Sequence, residues 1–260
     1  MSESFLRTYA DFDLQRPMDV AVVIPTVLRP YLRQALESVF AQQYDGRLHV
    51  LVGIDQPLGD IGLIDDVCAR RPPNCAVQVI WPGFSTSVRH GGLMRPGDGG
   101  AMRAMLTYLA NAPYVAYLDD DNWWDPAHLT QMCAAMESAE WAFALRWFVH
   151  PETRRPACVD VWESVGPGQG LFKEMFGGFV DPSCLMINKV ACPLAAHHWN
   201  FPMPSDPMSA DRNVFNYLSK NHKPRGTGRP TVYYTLQEKD GMHPVRLQLM
   251  GDTYEKAGPP

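Results

Sequence analysis

The sequence predicts an α/β fold with a mostly parallel, Rossmann-like sheet flanked by helices. Four short runs of apolar, largely β-branched residues alternate with segments that have the 3.6-residue period of amphipathic helices. Strands that are apolar throughout, rather than alternating, are typical of a parallel sheet covered on both faces. Polar residues follow three of the four runs, at the strand ends where such sheets bind ligands. The predicted strands are residues 20–24, 49–54, 77–81 and 114–118.

The predicted helices lie between these strands. Apolar residues at helical spacing predict helices over 32–40, around 61–70, over 102–109 and over 129–136. Residues 82–100 are rich in glycine and proline and predict a loop. The second half is less regular: we expect a strand over 141–149, loops over 150–178, a strand within 180–188, a rigid proline-containing loop at 202–207, and a short helix around 214–218.

Size and composition set broad limits. The chain has 260 residues, of which 46% are hydrophobic, enough for one large α/β domain or two small ones. A net charge of -5 gives no general attraction to nucleic acid or to an anionic membrane. Six scattered cysteines without a C-x-x-C pair argue against a zinc cluster and favour a reducing cytoplasm. No apolar stretch approaches the roughly 18 residues of a membrane span, so we expect at most a peripheral membrane visit.

Three adjacent carboxylates, Asp119, Asp120 and Asp121, follow the fourth predicted strand. They would repel one another unless a positive charge lay among them, and oxygen ligands of this kind suit Mg2+ or Mn2+. The alternative is a solvated acidic turn that caps the next helix. Thr26 and Asp55 end the first and second strands, so the three strand ends together favour one shared site. Trp123, Trp124 and Trp162 either stack on sugar faces or pack in the core.

A resemblance to a known family gives this site a specific meaning. Ile24-Pro-Thr26, the segment YLRQALESVFAQQY at 31–44 and a strand ending at Asp55 resemble the opening of family 2 glycosyltransferases with the GT-A fold. Leu118-Asp-Asp-Asp-Asn122 is similar to the D-x-D-type motif of that family, and Gly99-Gly-Ala-Met-Arg103 to its G-x-x-x-A-R-N segment. The match is good over 19–136 and loose over 137–235. Each motif alone is weak evidence for the family. The order and spacing of the motifs together carry the resemblance.

The resemblance implies one GT-A domain over 1–260. Residues 19–136 would form the half that binds a nucleotide-sugar donor, 137–245 the half that binds a glycan or glycoconjugate acceptor, and 246–260 a C-terminal tail. The implied activity is inverting, metal-dependent transfer of a sugar, most favourably from a UDP-linked donor, to an acceptor hydroxyl. No nucleic-acid partner is expected, and the sequence leaves the oligomeric state open.

The same resemblance assigns roles to individual residues. Thr26 would hold the nucleoside, Asp55 would accept a hydrogen bond from the imino group of a pyrimidine, and Arg103 would face the pyrophosphate or brace the carboxylates. Asp119 and Asp120 would lie near the ribose and the sugar. The implied donor-binding residues are Pro25, Thr26, Val27, Asp55, Arg103, Asp119 and Asp120.

The metal ligands and the base are implied by the same family pattern. Asp121 would bind Mn2+ or Mg2+, and His243, in a loop flanked by glycine and proline, is either a late metal ligand or a surface residue. Asp211 would be the catalytic base, and its alternative role is to cap the helix that follows. His197 and His198, followed by Trp199, either line the acceptor pocket or pack.

Four positions depart from the family pattern. Val27 and Leu28 replace a common Tyr-Asn pair, Ile54 replaces the first of two aspartates, and Ala210 replaces a glutamate before Asp211. Two other functions therefore stay in view. One is a noncatalytic module that binds nucleotide sugars. The other is a sugar nucleotidyltransferase, which requires a glycine-rich loop after the first strand, and residues 24–30 contain no glycine.

Overall fold

The computed structural model describes residues 4–203 and 210–259. In these residues a ten-stranded sheet forms the centre of the molecule and helices flank it. The strands are β1 Phe5–Tyr9, β2 Val20–Thr26, β3 Leu48–Ile54, β4 Cys75–Trp81, β5 Tyr114–Tyr117, β6 Trp123–Trp124, β7 Trp141–Val149, β8 Pro156–Val159, β9 Gly166–Pro167, β10 Gly178–Phe179, β11 Leu185–Asn188 and β12 Pro224–Thr235. The helices are α1 Leu32–Phe40, α2 Gly62–Cys68, α3 Gly100–Leu109, α4 His128–Met136, α5 Lys173–Phe176, α6 Ala195–His198, α7 Asp211–Asn221, α8 His243–Met250 and α9 Asp252–Ala257.

The first half of the sheet is parallel. Its strands lie in the order β4, β3, β2, β5, and each neighbouring pair is parallel. Every residue of β2 and β3 is buried, as continuous apolar runs in a two-sided layer require. All four predicted strands of this half form, and α1, α2 and α3 connect them as crossover helices. The carboxyl ends of β2, β3 and β5 therefore lie at one edge of the sheet.

The second half extends the sheet with mixed directions. β11 pairs antiparallel with β5 and with β7, and β12 then runs parallel to β7. β6 pairs antiparallel with the far side of β12. The three carboxylates lie in the short connection between β5 and β6, so they stand where the two halves of the sheet meet.

Several elements were not predicted from the sequence. β1 is an edge strand, antiparallel to β4, whose middle residues are exposed and which therefore lacks a strong apolar signal. β12 contains two glycines and two prolines, and its register against β7 shifts between Gly226 and Val232. Residues 246–260, predicted as a C-terminal tail, contain most of α8 and all of α9. The prolines at 204 and 207 of the predicted rigid loop lie outside the described residues.

A buried ionic cluster joins β7 to the C-terminal helices. Arg146, with 1% of its surface exposed, donates to Asp160 at 2.8 Å, to Glu163 at 2.9 Å and to Asp181 at 2.7 Å. Arg246 of α8 donates to both oxygens of Glu163, each at 2.7 Å. Because Asp181 also lines the cavity described below, this cluster connects the interior of the second half to the candidate site.

Replacing Arg146 with alanine should lower the free energy of unfolding by roughly 3–5 kcal/mol, because three carboxylates would lose a buried counter-charge. Urea denaturation followed by circular dichroism measures this change. Arg155→Ala is the matched control, since Arg155 is exposed four residues before the cluster's Asp160-containing turn. Equal stability of the two variants would contradict the importance of the cluster.

Candidate active site

A cavity of about 380 Å³ opens at the carboxyl ends of β2, β3 and β5. It brings together nine of the ten residues to which the sequence assigns a role: Pro25, Thr26, Val27, Asp55, Arg103, Asp119, Asp120, Asp121 and Asp211. Other lining residues, which the sequence did not indicate, include Arg29, Arg89, Asp98, Asp181 and Gln237. The residues at the ends of β2, β3 and β5 lie close together because these strands are parallel and end at the same edge of the sheet.

The three carboxylates are bound into the protein and are not a solvated turn. Asp120 is 1% exposed, and its carboxylate accepts from Thr26 Oγ1 at 2.6 Å and pairs with Arg29. Asp121 is 8% exposed and accepts from Arg29 Nη1 at 3.0 Å and from Gln237 Nε2 at 2.5 Å. The helix-capping alternative also fails, because Asp125 holds the start of the next helical segment through the backbone N–H of Ala127 at 2.9 Å.

The turn after β2 holds Thr26 and Arg29 in place. Leu28 adopts a left-handed φ of 64°, which is rare for a residue with a branched side chain. Its N–H donates to Thr26 Oγ1 at 2.8 Å, and that hydroxyl in turn donates to Asp120. This strained backbone directs the chain so that Arg29 returns to the carboxylates.

The carboxyl group of Asp121 has a raised pKa. The pKa of Asp121 is raised to about 7, mainly by burial and also by the charges of Asp119 and Asp120, while Arg29 opposes the rise. A carboxylate with this pKa gains from additional positive charge, because a nearby cation stabilises the ionised form. Asp121 is therefore a carboxylate that favours cation binding.

The carboxylate oxygens of the aspartate cluster fit a hard divalent cation that is also bound by the phosphates of a substrate. Among the described residues, no group of three or more histidine, cysteine, aspartate or glutamate side chains converges as a complete metal cage. Mg2+ commonly binds through one or two carboxylates together with substrate phosphates, and the oxygens of the aspartate cluster suit such a site. Asp121 would hold the cation, and Arg29 would share the carboxylates with it.

His243 is the one predicted site residue that the cavity lining does not include. It begins α8, is 9% exposed, and its ring lies 6.0 Å from the ring of Tyr254. Gln237, six residues earlier, is instead the residue from this end of the chain that reaches Asp121. His243 is thus a buried residue at the start of α8, and its role as a metal ligand stays a prediction.

Arg103 braces the site, in agreement with one of its two predicted roles. Its guanidinium pairs with Asp119, donates to the backbone carbonyl of Asp98 at 2.5 Å, and lies 5.1 Å from the ring of Trp199. Trp199, which follows His197 and His198, is fully buried. Asp98 itself accepts from the N–H of Gly100 at 3.1 Å and from the N–H of Ala210 at 3.0 Å. It therefore ties the beginning of α3 to the beginning of α7.

Asp211 is the first residue of α7 and faces the cavity. Its Oδ1 accepts from the N–H of Arg212 at 2.6 Å, and no described residue donates a hydrogen bond to its Oδ2. The residue before α7 is Ala210, so Asp211 does not act as the side-chain cap that was its alternative role. Burial raises the pKa of Asp211 to about 7, with a further contribution from Asp98, while the charge of Arg212 opposes the rise.

Asp181 is a second buried carboxylate in the cavity, but its oxygens are occupied. Oδ1 accepts from the N–H of Ser183 at 2.9 Å and Oδ2 accepts from Arg146 at 2.7 Å. Burial raises the pKa of Asp181 to about 6 in spite of Arg146. Among the described residues, both oxygens of Asp181 therefore have donors, whereas Asp211 has a donor only to Oδ1.

Asp55 also has partners within the protein. Its carboxylate accepts from Ser85 Oγ at 2.6 Å, from the N–H of Thr86 at 2.8 Å and from Thr86 Oγ1. Both oxygens thus hold the loop that follows β4. The predicted contact to a pyrimidine would have to share these oxygens with that loop.

The tryptophans that were considered for sugar stacking are packed against other side chains. Trp123 stacks on Tyr233 with ring centroids 5.1 Å apart, and Trp162 stacks on Phe148 at 6.4 Å. Trp124 is 2% exposed and donates from Nε1 to the carbonyl of Ser183 at 2.9 Å. None of the three is among the residues that line the cavity.

Solved structures with the same architecture give this geometry a context. Residues 1–349 of TarS from S. aureus in complex with UDP-GlcNAc match with a TM-score of 0.59 at 16% identity, over 86% of this chain and 60% of that one. The mannosyltransferase PcManGT from Pyrobaculum calidifontis, in complex with GDP-Man and Mn2+, matches with a TM-score of 0.57 at 13% identity, over 92% of this chain and 63% of that one. The chain shares the α/β fold of these structures. The predicted fold class is therefore confirmed.

Sequence comparisons add nothing to the structural match. No family model and no curated protein sequence matches the chain. The chain spans about 60% of the length of TarS residues 1–349. Within the described part of the chain, no helix combines the length and the apolar character that crossing a bilayer requires.

Proposed function

We propose that the protein is an inverting, metal-dependent glycosyltransferase of the family 2 type. It transfers a sugar from a nucleotide-sugar donor, most favourably UDP-linked, to a hydroxyl of a glycan or glycoconjugate. The observation on which the proposal rests is the meeting of Asp119, Asp120, Asp121 and Asp211 in one cavity at the carboxyl ends of parallel strands. The complexes of similar structures with UDP-GlcNAc and with GDP-Man and Mn2+ support it.

The donor would lie over the ends of β2, β3 and β5, with its nucleoside beside Pro25, Thr26 and Val27. Its diphosphate would approach the carboxylates, which would repel it without a bound cation. A divalent cation at Asp121 would neutralise negative charge on the departing diphosphate. Arg29 and Arg103 hold the carboxylates in position, and Thr26 fixes the orientation of Asp120 through its hydroxyl.

Asp211 would take the proton from the acceptor hydroxyl as that oxygen attacks the anomeric carbon. Its Oδ1 accepts from the backbone N–H of Arg212, and Oδ2, to which no described residue donates, would take the proton. Asp98 fixes the start of α7 and so the position of Asp211 relative to α3. Attack from the side opposite the diphosphate, with the base on the acceptor side, gives inversion.

Calorimetric titration of UDP and of GDP, with Mn2+ and again with EDTA, tests the proposal. We expect metal-dependent binding of UDP, followed by release of UDP from one or more UDP-sugars when acceptor glycans are supplied. Binding without turnover of any donor would favour the noncatalytic module. The absence of binding to both nucleotides in both conditions would overturn the proposed function.

A further inference from the structure

The charges that line the cavity are unbalanced. Seven carboxylates and three arginines line it: Asp55, Asp98, Asp119, Asp120, Asp121, Asp181 and Asp211, with Arg29, Arg89 and Arg103. Two of the arginines are committed to the protein, because Arg29 pairs with Asp120 and Asp121, and Arg103 pairs with Asp119. The guanidinium of Arg89 makes no hydrogen bond and no ion pair with the described residues, so it is the cavity cation that is available to a ligand there.

The backbone that bears Arg89 is fixed, although its side chain is exposed. Ser87 Oγ accepts from the N–H of Arg89 at 3.2 Å, and the carbonyl of Ser87 accepts from the N–H of Gly92 at 2.8 Å. The N–H of Met94 donates to the carbonyl of Thr86 at 2.9 Å, which closes the loop 86–94 on itself. Arg89 is therefore presented to the cavity from a closed loop with defined geometry.

Asp55 attaches this loop to the end of β3. Three hydrogen bonds run from Ser85 and Thr86 to its carboxylate, and Asp55 is only 5% exposed. Of the other residues of this loop that line the cavity, Ser87 is buried, whereas Arg89 and His90 are exposed. Asp55 thus determines where Arg89 stands.

We propose that Arg89 binds the diphosphate of the donor and that Asp55 acts as the positioning residue for the loop that bears it. This inference rests on the proposed function, since it takes the ligand to be a nucleoside diphosphate sugar. An anion that enters a cavity lined by seven carboxylates needs every available positive charge. Arginine suits the task because its planar guanidinium can donate two parallel hydrogen bonds to phosphate oxygens.

The test compares ligands with and without the diphosphate. Affinities of UDP and of uridine are measured by calorimetry in Mn2+ for the parent protein, for Arg89→Gln and for Arg95→Gln. Arg95 is exposed on the same loop and does not line the cavity, so it is the matched control. We expect Arg89→Gln to weaken UDP binding about tenfold, the effect of losing one charge-assisted contact, while uridine binding stays unchanged. Arg95→Gln should leave both affinities at the parent value.

The outcomes separate this inference from the proposed function. If the parent protein binds UDP and Arg89→Gln binds it equally well, the role of Arg89 is wrong and the glycosyltransferase proposal stands. An equal loss of UDP and uridine affinity would also overturn it, because the contact would not be to phosphate. A parent protein that binds neither UDP nor GDP overturns both proposals together.

The positioning role of Asp55 has its own test. Ser85→Ala combined with Thr86→Val removes two of the donors to Asp55 without changing Asp55 itself. We expect this double variant to lose UDP affinity relative to uridine, and to lose almost nothing more when Arg89→Gln is added, because the two changes act on one contact. Additive losses would show that Asp55 and its loop act independently of Arg89.

Discussion

Asp211→Asn is expected to reduce sugar transfer by about 10³-fold while nucleotide binding stays near the parent value. Asparagine has the shape of aspartate but cannot accept the proton of the acceptor hydroxyl, and general-base catalysis contributes about 10²–10⁴-fold in enzymes. The Oδ1 contact to the N–H of Arg212 can be kept by an amide oxygen, so the start of α7 should not be disturbed. The measurement is the rate of transfer at saturating donor, together with calorimetric affinity for UDP.

The pH profile gives a second measurement on the same residue. Because burial raises the pKa of Asp211 to about 7, the base is largely protonated at pH 6 and ionised at pH 8. The transfer rate of the parent protein should therefore rise with pH through about 7 and level off above it. The residual rate of Asp211→Asn should lack this rise. A parent rate that is retained in Asp211→Asn would remove Asp211 from the reaction.

Asp66→Asn is the matched control for this variant. Asp66 lies on α2, its side chain is 72% exposed, and its contact to Arg33 is 3.5 Å long. The same chemical change at that position should alter neither transfer nor nucleotide affinity. A comparable loss in Asp66→Asn would indicate that asparagine substitution reduces activity for reasons unrelated to the cavity.

Asp121→Ala is expected to abolish the dependence of UDP binding on Mn2+. The parent protein should bind UDP more tightly in Mn2+ than in EDTA, whereas Asp121→Ala should show the same weak affinity in both. The loss in Mn2+ should be at least about 10- to 100-fold, the range found when residues that only support a metal ligand are changed. Calorimetry with UDP in Mn2+ and in EDTA measures the difference.

Two comparisons make the Asp121 result specific. Manganese binding in the absence of nucleotide, followed by electron paramagnetic resonance, reports on the metal ligand without any turnover. Asp66→Asn again serves as the exposed control. If Asp121→Ala kept the parent response to Mn2+, the cation would have to be held elsewhere, and Asp119 would be the next carboxylate to change.

The residues that form the cavity were recognisable because their signals are local. Val20–Thr26 and Leu48–Ile54 are short, mostly apolar strands. The first ends at Thr26 and the second ends directly before Asp55, the polar residues that enter the site. Because the strands are parallel, their carboxyl ends lie together at one edge of the sheet. Asp211 was predicted from the family resemblance, which places an aspartate at the start of a helix in the second half.

The residues that sequence reasoning missed act through distant partners. Arg29 and Asp121 are 92 positions apart, and Gln237 and Asp121 are 116 positions apart, so no local pattern joins either pair. Arg29 did have one signal, since it is a cation three residues after the end of a buried strand. Asp98 and Asp181 had none, because their partners Ala210 and Arg146 lie 112 and 35 positions away in the chain.

By itself the sequence determined the parallel half of the sheet, the edge at which the site opens and the carboxylates that dominate its charge. These follow from periodicity and from chain order, which act over a few residues at a time. Only the tertiary structure decided that Asp55 holds a loop, that Arg103 pairs with Asp119, that Gln237 reaches Asp121, and that Arg89 lines the cavity. The physical reason is that hydrogen bonds and ion pairs depend on distances of a few ångströms between groups that the chain separates by up to 116 residues.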